Sequence, residues 1–163
     1  MAEVIRRFSG SYRFLSNFYQ IPVVLSFTHD GEKMSFKMPS VENAFQAAKI
    51  DSKIPNRVQL TESFQTMTAS ESKKAGRRVP RRDDWDDIRV KVMYALLVQK
   101  FKYPTLRALL ISTGDAELIE GTTWGDRFWG VDENAGGIGE NHLGKLLMRV
   151  REEILVERSN QVP

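Results

Sequence analysis

The chain has 163 residues, 41% hydrophobic and 28% charged, with a formal net charge of +3 and no cysteine. These values predict one domain, residues 1–163, and exclude disulfides, thiol nucleophiles, cysteine-based metal sites and a surface charged enough to coat nucleic acid. Since no apolar run approaches the roughly 20 residues of a membrane span and the N-terminus lacks the apolar core of a signal peptide, we expect a cytoplasmic protein with no membrane partner.

A β-hairpin is predicted near the N-terminus. Residues 23–28 and 33–38 are rich in β-branched residues and alternate in polarity, which is typical of half-buried strands. The intervening His29-Asp30-Gly31-Glu32 contains a turn signal that favours an antiparallel pair. His29 therefore lies at the hairpin tip, where we expect no functional role.

The most informative segment is a short helix predicted after the hairpin, from Ser40, which can cap it, to Lys49. At about 100° per residue, Glu42 and Lys49 fall on nearly the same line of this helix, about 10 Å apart along the axis, with Gln46 near that line. An acid and an amine would then flank a gap that could hold a small substrate. The alternative is an ordinary amphipathic helix whose polar stripe faces water.

The remaining elements are mainly helical. Thr68 and Glu71 form a capping box that opens a basic helix, and Asp83 or Asp84 caps a long helix. The core candidates of the long helix are Trp85, Ile88, Val92, Leu96 and Phe101. We expect helices over residues 55–67, 68–78, 84–103, 104–111 and 141–158, and a short strand over residues 117–121. The predicted fold class is α+β, mainly α-helical, with a small N-terminal β-hairpin or sheet.

A basic run precedes an acidic run in the middle of the chain. Six lysines and arginines crowd residues 73–82, and four aspartates follow within residues 83–87. The simplest interpretation is a solvated basic helix end that leads into an acidic helix start. The alternative is a basic nucleic-acid-binding module, against which the acidic run and the small net charge both count.

The segment from Trp124 to Gly144 is rich in glycine and tryptophan and precedes the last helix. Glycines allow close approach of the backbone to a ligand, and a helix beginning at Asn141 offers free amides and a positive dipole end. These features suit a phosphate, and the ring of Trp129 suits stacking on a base, although such tryptophans are also common as partly buried anchors. His142 is expected to face water, and two histidines are too few for a metal site, so we expect no metal and no cofactor.

Four sequence blocks together resemble one protein family. The blocks, which occur in one order between about Phe8 and Arg151, are Phe14-Leu-Ser-Asn-Phe-Tyr19, Ser40-Val-Glu-Asn-Ala-Phe-Gln-Ala-Ala-Lys49, Ala75-Gly-Arg-Arg-Val79 with Asp84-Trp85, and Trp129-Gly130 with Gly139-Glu-Asn-His-Leu-Gly-Lys-Leu-Leu-Met148. The chain resembles the NADAR family, the YbiA-like N-glycosidases, over nearly its whole length. The resemblance implies an enzyme that hydrolyses an N-glycosidic bond between a ribose phosphate and an amino group on a heterocycle. Known members act on early riboflavin-pathway intermediates or remove ADP-ribose from guanine in nucleic acid.

The resemblance also implies roles for individual residues. Glu42 matches the carboxylate of the family's Val-Glu-His motif, and Lys49 matches the lysine that ends the same helix. The family usually has His where this chain has Asn43. If that imidazole helps proton transfer in relatives, Asn43 cannot replace it, although its amide could still hydrogen-bond a sugar hydroxyl. Further matching positions are Trp85, Trp129, Gly130, Asn141 and Gly144.

Glu42 and Lys49 are the candidate catalytic residues. Cleavage of the C1–N bond builds positive charge on the ribose, which Glu42 would stabilise, or Glu42 would activate water. A neutral Lys49 would attack C1 of the ring-opened imine and form a Schiff base, whereas a charged Lys49 would hold a phosphate or orient Glu42. The covalent role is favoured because an arginine would bind phosphate better than a lysine.

The other candidate contacts bind the substrate. Trp85, Phe18 or Trp129 would stack on the leaving group, and Arg77 would help the amides of residues 141–144 hold the phosphate. Glu120 and Asp132 are candidates for the ribose hydroxyls or a second proton transfer, with an exposed strand end and a loop turn as their alternatives. The candidate that would orient the substrate is Asn17, an ordinary turn residue in the alternative interpretation.

The expected partner is a small nucleotide-like substrate, either ADP-ribose or a ribose 5-phosphate conjugate, with modified DNA or RNA as a further option. The alternative function is a non-catalytic module that binds ADP-ribose or a related nucleotide. Such a module would tolerate the loss of Glu42, whereas the enzyme would not.

Overall fold

The computed structural model describes residues 3–161, in which helices supply most of the regular structure. The helices are α1 (Val41–Ala48), α2 (Arg57–Ser63), α3 (Ala69–Gly76), α4 (Trp85–Lys100), α5 (Pro104–Ser112) and α6 (His142–Asn160). The strands are β1 (Val4–Ile5), β2 (Gln20–His29), β3 (Glu32–Ser40), β4 (Glu117–Leu118), β5 (Gly121–Thr122) and β6 (Val131–Asp132). The α+β, mainly helical class is confirmed, and every predicted helix is present with its ends within four residues of the prediction.

Contacts between residues divide the described chain into two compact units. One unit is the continuous stretch Asn17–Lys100, which contains the hairpin and helices α1 to α4. The other combines residues 3–16 with residues 101–161 and contains α5, α6 and the short strands. The single domain predicted over residues 1–163 would comprise both units. In the part of the chain that the structure describes, no helix is both long enough and apolar enough to cross a membrane.

The predicted hairpin is confirmed and is longer than its sequence pattern indicated. Strands β2 and β3 pair antiparallel, with an irregular register near Gln20. Asp30 and Gly31 adopt φ angles of 50° and 80°, as a two-residue type I′ turn requires. Strand β3 then continues to Ser40, whose side chain accepts a hydrogen bond from the amide of Asn43 and so caps α1 as predicted.

Helix α1 is buried along its whole length, so the prediction of a solvated polar stripe is wrong. Glu42 is 7% exposed and Gln46 is 6% exposed, although both are polar. The reason is that α1 packs against α3, α4 and both strands of the hairpin, which leaves none of its faces to water. Buried polar side chains need internal hydrogen-bond partners, and those partners define the candidate site described below.

Asn43 uses its side-chain amide entirely for folding. Its Oδ1 accepts a hydrogen bond from the Ser40 hydroxyl at 2.6 Å, and its Nδ2 donates to the carbonyl oxygens of Phe64 and Met67 at 2.8 and 2.9 Å. These bonds fasten α1 to the segment that follows α2. The expectation that Asn43 could bind a sugar hydroxyl is wrong, because the residue is 0% exposed and its amide is already bonded.

Helix α4 buries only part of the face that its apolar pattern predicts. Trp85, Leu96 and Phe101 are buried as predicted, whereas Ile88 and Val92 are only half-buried. Apolar residues occur on more than one face of this helix, so periodicity alone does not select the buried face. The buried residues of the helix are Trp85, Met93, Leu96, Leu97 and Lys100.

Short parallel strand pairs organise the second unit. Strand β1 pairs with β4, and β5 pairs with β6. The strand predicted over residues 117–121 is thus divided between β4 and β5. The predicted loop that begins at Trp124 contains β6 and a 3₁₀ turn over Glu133–Ala135. Two-residue strands carry no periodicity, so neither β1 nor β6 could be predicted locally.

We predict that Asn43→Ala lowers the free energy of unfolding by about 2–4 kcal/mol, because two largely buried carbonyl groups lose their donor. Urea unfolding measures this change. The control is Ser35→Ala, which removes an exposed hydrogen bond between two hairpin serines and is expected to change the free energy by less than about 0.5 kcal/mol. A loss below about 1 kcal/mol for Asn43→Ala would contradict the structural role assigned to this amide.

Candidate functional site

The carboxylate of Glu42 is held in one orientation within the first turn of α1. Gln46, one turn further along the helix, donates from its Nε2 to Oε1 of Glu42 at 2.8 Å. The backbone amide of Glu42 donates to the carbonyl oxygen of Asn17 at 3.0 Å, which fixes the start of the helix. The candidate acid is therefore a buried carboxylate whose position is determined by an amide on its own helix.

Asn17, predicted to orient a substrate, is buried beside the start of α1. Its Nδ2 approaches the sulfur of Met93 at 3.5 Å. Its Oδ1 is buried and has no hydrogen-bond partner within residues 3–161. A buried acceptor without a donor is rare in folded proteins, so this oxygen is a candidate acceptor for a substrate hydroxyl.

Gln46 belongs to the site, although sequence analysis treated it only as a neighbour of the acid and the amine. Its Nε2 bonds Glu42, and its Oε1 is buried with no hydrogen-bond partner in the described part of the chain. Gly76 at the end of α3 leaves the space for this amide, since a Cβ atom at that position would overlap the Gln46 side chain. The glycine that follows Ala75 in the basic helix is the sequence signal that points to this close contact.

Lys49 is the C-cap of α1 and is half-buried. Burial lowers the pKa of its ammonium group below the usual value, and the positive charges of Arg81, Arg77 and Arg89 lower it further, while Glu42 acts in the opposite direction. An amine with a lowered pKa is neutral at a lower pH than an ordinary lysine. A neutral amine is the form that a nucleophile requires.

Backbone pairing brings the arginines to the end of α1. The amide of Arg82 donates to the carbonyl oxygen of Lys49 at 2.9 Å, and the amide of Asp51 donates to that of Pro80 at 2.8 Å. Ile50 and Arg81 form an antiparallel bridge between these bonds. The segment between α3 and α4 therefore lies along the residues that follow α1, which brings Arg81 of this segment near enough for its charge to act on Lys49.

Trp85 is a support for α1 and not an open stacking surface. Its ring lies 4.9 Å from that of Phe45 at an angle of 52°, and the residue is 3% exposed. The expected stacking of Trp85 on a leaving group is therefore wrong. Phe18 is 40% exposed and has the Lys73 ammonium 5.9 Å from its ring centroid, so it remains the candidate stacking residue in this unit. The Lys49 ammonium lies 5.8 Å from the Phe45 ring centroid.

The glycine-rich loop of the second unit does not offer the free amides that its sequence indicates. The amides of residues 141, 142 and 143 donate to the carbonyl oxygens of residues 130, 128 and 129 at 3.2, 3.1 and 3.0 Å. The loop thus satisfies the first turn of α6 with its own backbone. Three of the four amides at which a phosphate was expected, those of residues 141–144, are thus already bonded to the loop.

The matching residues of this loop pack it against the short strands. Asn141 donates from Nδ2 to the carbonyl oxygen of Leu118 at 2.9 Å, and its Oδ1 accepts from the amide of Glu120 at 3.0 Å. A Cβ atom at Gly144 would overlap the carbonyl oxygen of Leu118, and one at Gly130 would overlap that of Glu120. These three residues therefore fix the backbone, and nothing about their contacts points to a substrate.

Asp132 and Trp129 adopt the structural alternatives considered for them. Oδ1 of Asp132 accepts from the amide of Asn134 at 3.1 Å, and its Oδ2 accepts from Arg127 at 3.2 Å, so this carboxylate stabilises a loop turn. Trp129 is half-buried and packs edge-on against the preceding phenylalanine. Glu120 is half-buried and is not the exposed strand end considered for it.

His142 is less exposed than expected. Its ring lies 4.3 Å from that of Phe128, and its Nε2 lies 3.6 Å from a carboxylate oxygen of Glu140. The side chain is 29% exposed, because the loop folds back over the first turn of α6. Within residues 3–161, no group of three or more histidine, aspartate or glutamate side chains is arranged to hold a metal ion.

Known proteins resemble the chain over most of its length. A family model described as the NADAR domain matches residues 6–155. The chain is 34% identical over 152 residues to the N-glycosidase YbiA of Escherichia coli strain K12, and the alignment covers 92% of this chain and 86% of that protein. It is 36% identical over 148 residues to a riboflavin biosynthesis protein of Vibrio vulnificus, and the alignment covers 88% of this chain and 36% of that protein. An NMR structure of Escherichia coli YbiA matches with a TM-score of 0.76 at 30% identity, covering 100% of this chain and 92% of that one.

We predict that Gly76→Ala destabilises the protein mainly by displacing the Gln46 amide. In a double-mutant cycle with Gln46→Ala, the two changes are expected to couple by about 1–3 kcal/mol, because the smaller residue at position 46 makes room for the new methyl group. Urea unfolding of the four proteins measures the coupling. Additive losses would mean that Gly76 is not required by the Gln46 side chain.

Proposed function

Because the chain belongs to the NADAR domain family and has the YbiA-like fold, we propose that it is an N-glycosidase that hydrolyses the C1–N bond between a ribose phosphate and an amino group on a heterocyclic base. The observation that carries the proposal is the pairing, on one buried helix, of the fixed carboxylate of Glu42 with the half-buried amine of Lys49. The relatives named N-glycosidase and riboflavin biosynthesis protein support the same chemistry.

Glu42 is the proposed acid and base. Rupture of the C1–N bond leaves positive charge on C1 and the ring oxygen of ribose, and a carboxylate close to that charge lowers the barrier. The same group can accept a proton from an attacking nucleophile and return it to the departing amino group. Its hydrogen bond from Gln46 holds the carboxylate in one orientation for this exchange.

Lys49 is the proposed nucleophile. A ribose joined to an amino group can ring-open to an imine, and the neutral lysine amine adds to its C1 carbon. Two protons then pass in turn from the lysine nitrogen through Glu42 to the nitrogen of the base. The C1–N bond to the base breaks, the base leaves with a free amino group, and a neutral lysine Schiff base remains. Water then adds to the C1 carbon of that Schiff base, which releases the ribose phosphate and restores the lysine amine.

The substrate would contact further residues of the same unit. The Oδ1 oxygen of Asn17 can accept a hydrogen bond from a ribose hydroxyl, and the exposed ring of Phe18 can stack on the base. Two substrate classes share this recognition: ADP-ribose linked to guanine and a ribosylamino-pyrimidine phosphate. Supplying both side by side and identifying the products by mass spectrometry distinguishes them, and release of neither free base would refute the proposed activity.

We predict that Glu42→Gln lowers kcat by about 10²–10⁴-fold, because the amide keeps the shape of the side chain but cannot transfer a proton. Single-turnover assays with the accepted substrate measure the loss, and a urea unfolding curve checks that the fold is retained. The control is Glu153→Gln, which removes an exposed carboxylate paired with Arg149 and is expected to keep full activity. Unchanged turnover by Glu42→Gln would exclude Glu42 as the acid and base.

We predict that borohydride traps a covalent adduct between substrate and the wild-type protein, because it reduces a Schiff base to a stable amine. Peptide mass spectrometry is expected to locate the adduct at Lys49, and Lys49→Ala is expected to form none. Lys53→Ala is the control, since that ammonium is 76% exposed and pairs with Asp83. If the wild-type protein yields no trapped adduct and Lys49→Ala remains active, Lys49 only positions the substrate or Glu42.

A further inference from the structure

Three arginines from different elements converge on Lys49. Arg77 is the C-cap of α3, Arg81 lies in the segment that pairs with the residues after α1, and Arg89 lies in the second turn of α4. The charges of all three act on the Lys49 ammonium. Such a concentration of positive charge beside a half-buried amine repels itself, so it needs an explanation.

Helix dipoles explain only part of this cluster. Cations are favourable at helix C-termini, which accounts for Lys49 at the end of α1 and for Arg77 at the end of α3. Arg81 and Arg89 lie instead near the N-terminus of α4, where the dipole disfavours cations. The helix dipole therefore does not account for these two arginines.

Asp86 lies beside both of these guanidinium groups. Its Oδ2 accepts from Nη2 of Arg81 at 3.3 Å, and its Oδ1 lies 4.0 Å from Nη1 of Arg89. One carboxylate thus brings together two planar cations of the kind that recognises phosphate oxygens. The side chain of Arg81 is 54% exposed and that of Arg89 is 29% exposed, so a small anion can reach the pair.

We propose that Arg77, Arg81 and Arg89 form the subsite for the 5′-phosphoryl group of the reacting ribose. The inference rests on the proposed function, and it identifies the part of the molecule that recognises the phosphate. Guanidinium groups suit phosphate oxygens because they offer paired N–H donors in one plane together with a permanent charge. The amides at the start of α6 cannot take this role without losing the loop bonds described above.

The test measures binding of ribose 5-phosphate by isothermal titration calorimetry to Glu42→Gln protein, in which turnover cannot interfere. Adding Arg81→Ala and Arg89→Ala together is expected to weaken the affinity at least about tenfold, since charge-assisted contacts to phosphate are lost. The matched control is Arg82→Ala, which removes the neighbouring arginine whose Nε bonds Oδ1 of Asp84 at 2.6 Å. This control is expected to change the affinity less than about twofold.

Two further arms make the result specific. Replacing both arginines by lysine keeps the charge and removes the paired donors, so an intermediate loss of affinity is expected. This variant also answers the question if the alanine variant does not fold. Repeating the titration with ADP-ribose distinguishes a terminal phosphate from a pyrophosphate. Equal affinity of the arginine variants and the control for both probes would overturn the inference. That outcome leaves the N-glycosidase proposal intact, because it is tested by product formation and not by phosphate affinity.

Discussion

The hydrogen bond from Gln46 to Glu42 is the contact on which the candidate site depends. Helix α1 is buried on all sides, so a carboxylate within it cannot be solvated by bulk water and requires an internal donor. Gln46 supplies that donor from the next turn, and the absence of a side chain at Gly76 gives its amide the space it occupies. The packing of α3 against α1 therefore determines where the proposed acid points, although α3 contributes no side chain to that hydrogen bond.

The amine at the other end of α1 is subject to opposing effects, and burial is the largest of them. Glu42 favours the ammonium form of Lys49, while Arg81, Arg77 and Arg89 favour the neutral form together with desolvation, and the resulting pKa is lowered. Glu42 acts on the amine more strongly than any single arginine, and it is burial together with the three arginines that outweighs the carboxylate.

Local signals predicted much of the fold, and they failed where packing decides. The Asp30-Gly31 turn and the Ser40 cap depend on neighbouring residues only, and both are present. Strand β1 pairs with β4, which lies more than 100 residues later in the sequence. A two-residue segment has no sequence pattern from which that pairing could be predicted. For the site, periodicity aligned Glu42 with Lys49 correctly. It could not separate a buried stripe from a solvated one, because burial depends on the elements that cover α1.

In the glycine-rich loop before α6, the sequence pattern predicted a binding site that the packing of the chain does not provide. Its glycines indicated a nucleotide-binding backbone, yet Gly130 and Gly144 lie so close to the carbonyl oxygens of Glu120 and Leu118 that no side chain would fit. Glycine permits close approach to any neighbour, and here the neighbour is the protein's own backbone. An amide already bonded to a carbonyl can bind an anion only by giving up that bond, whereas a guanidinium has five donors and a full charge. Anion recognition is therefore better supplied by the arginines around Lys49 than by the first turn of α6.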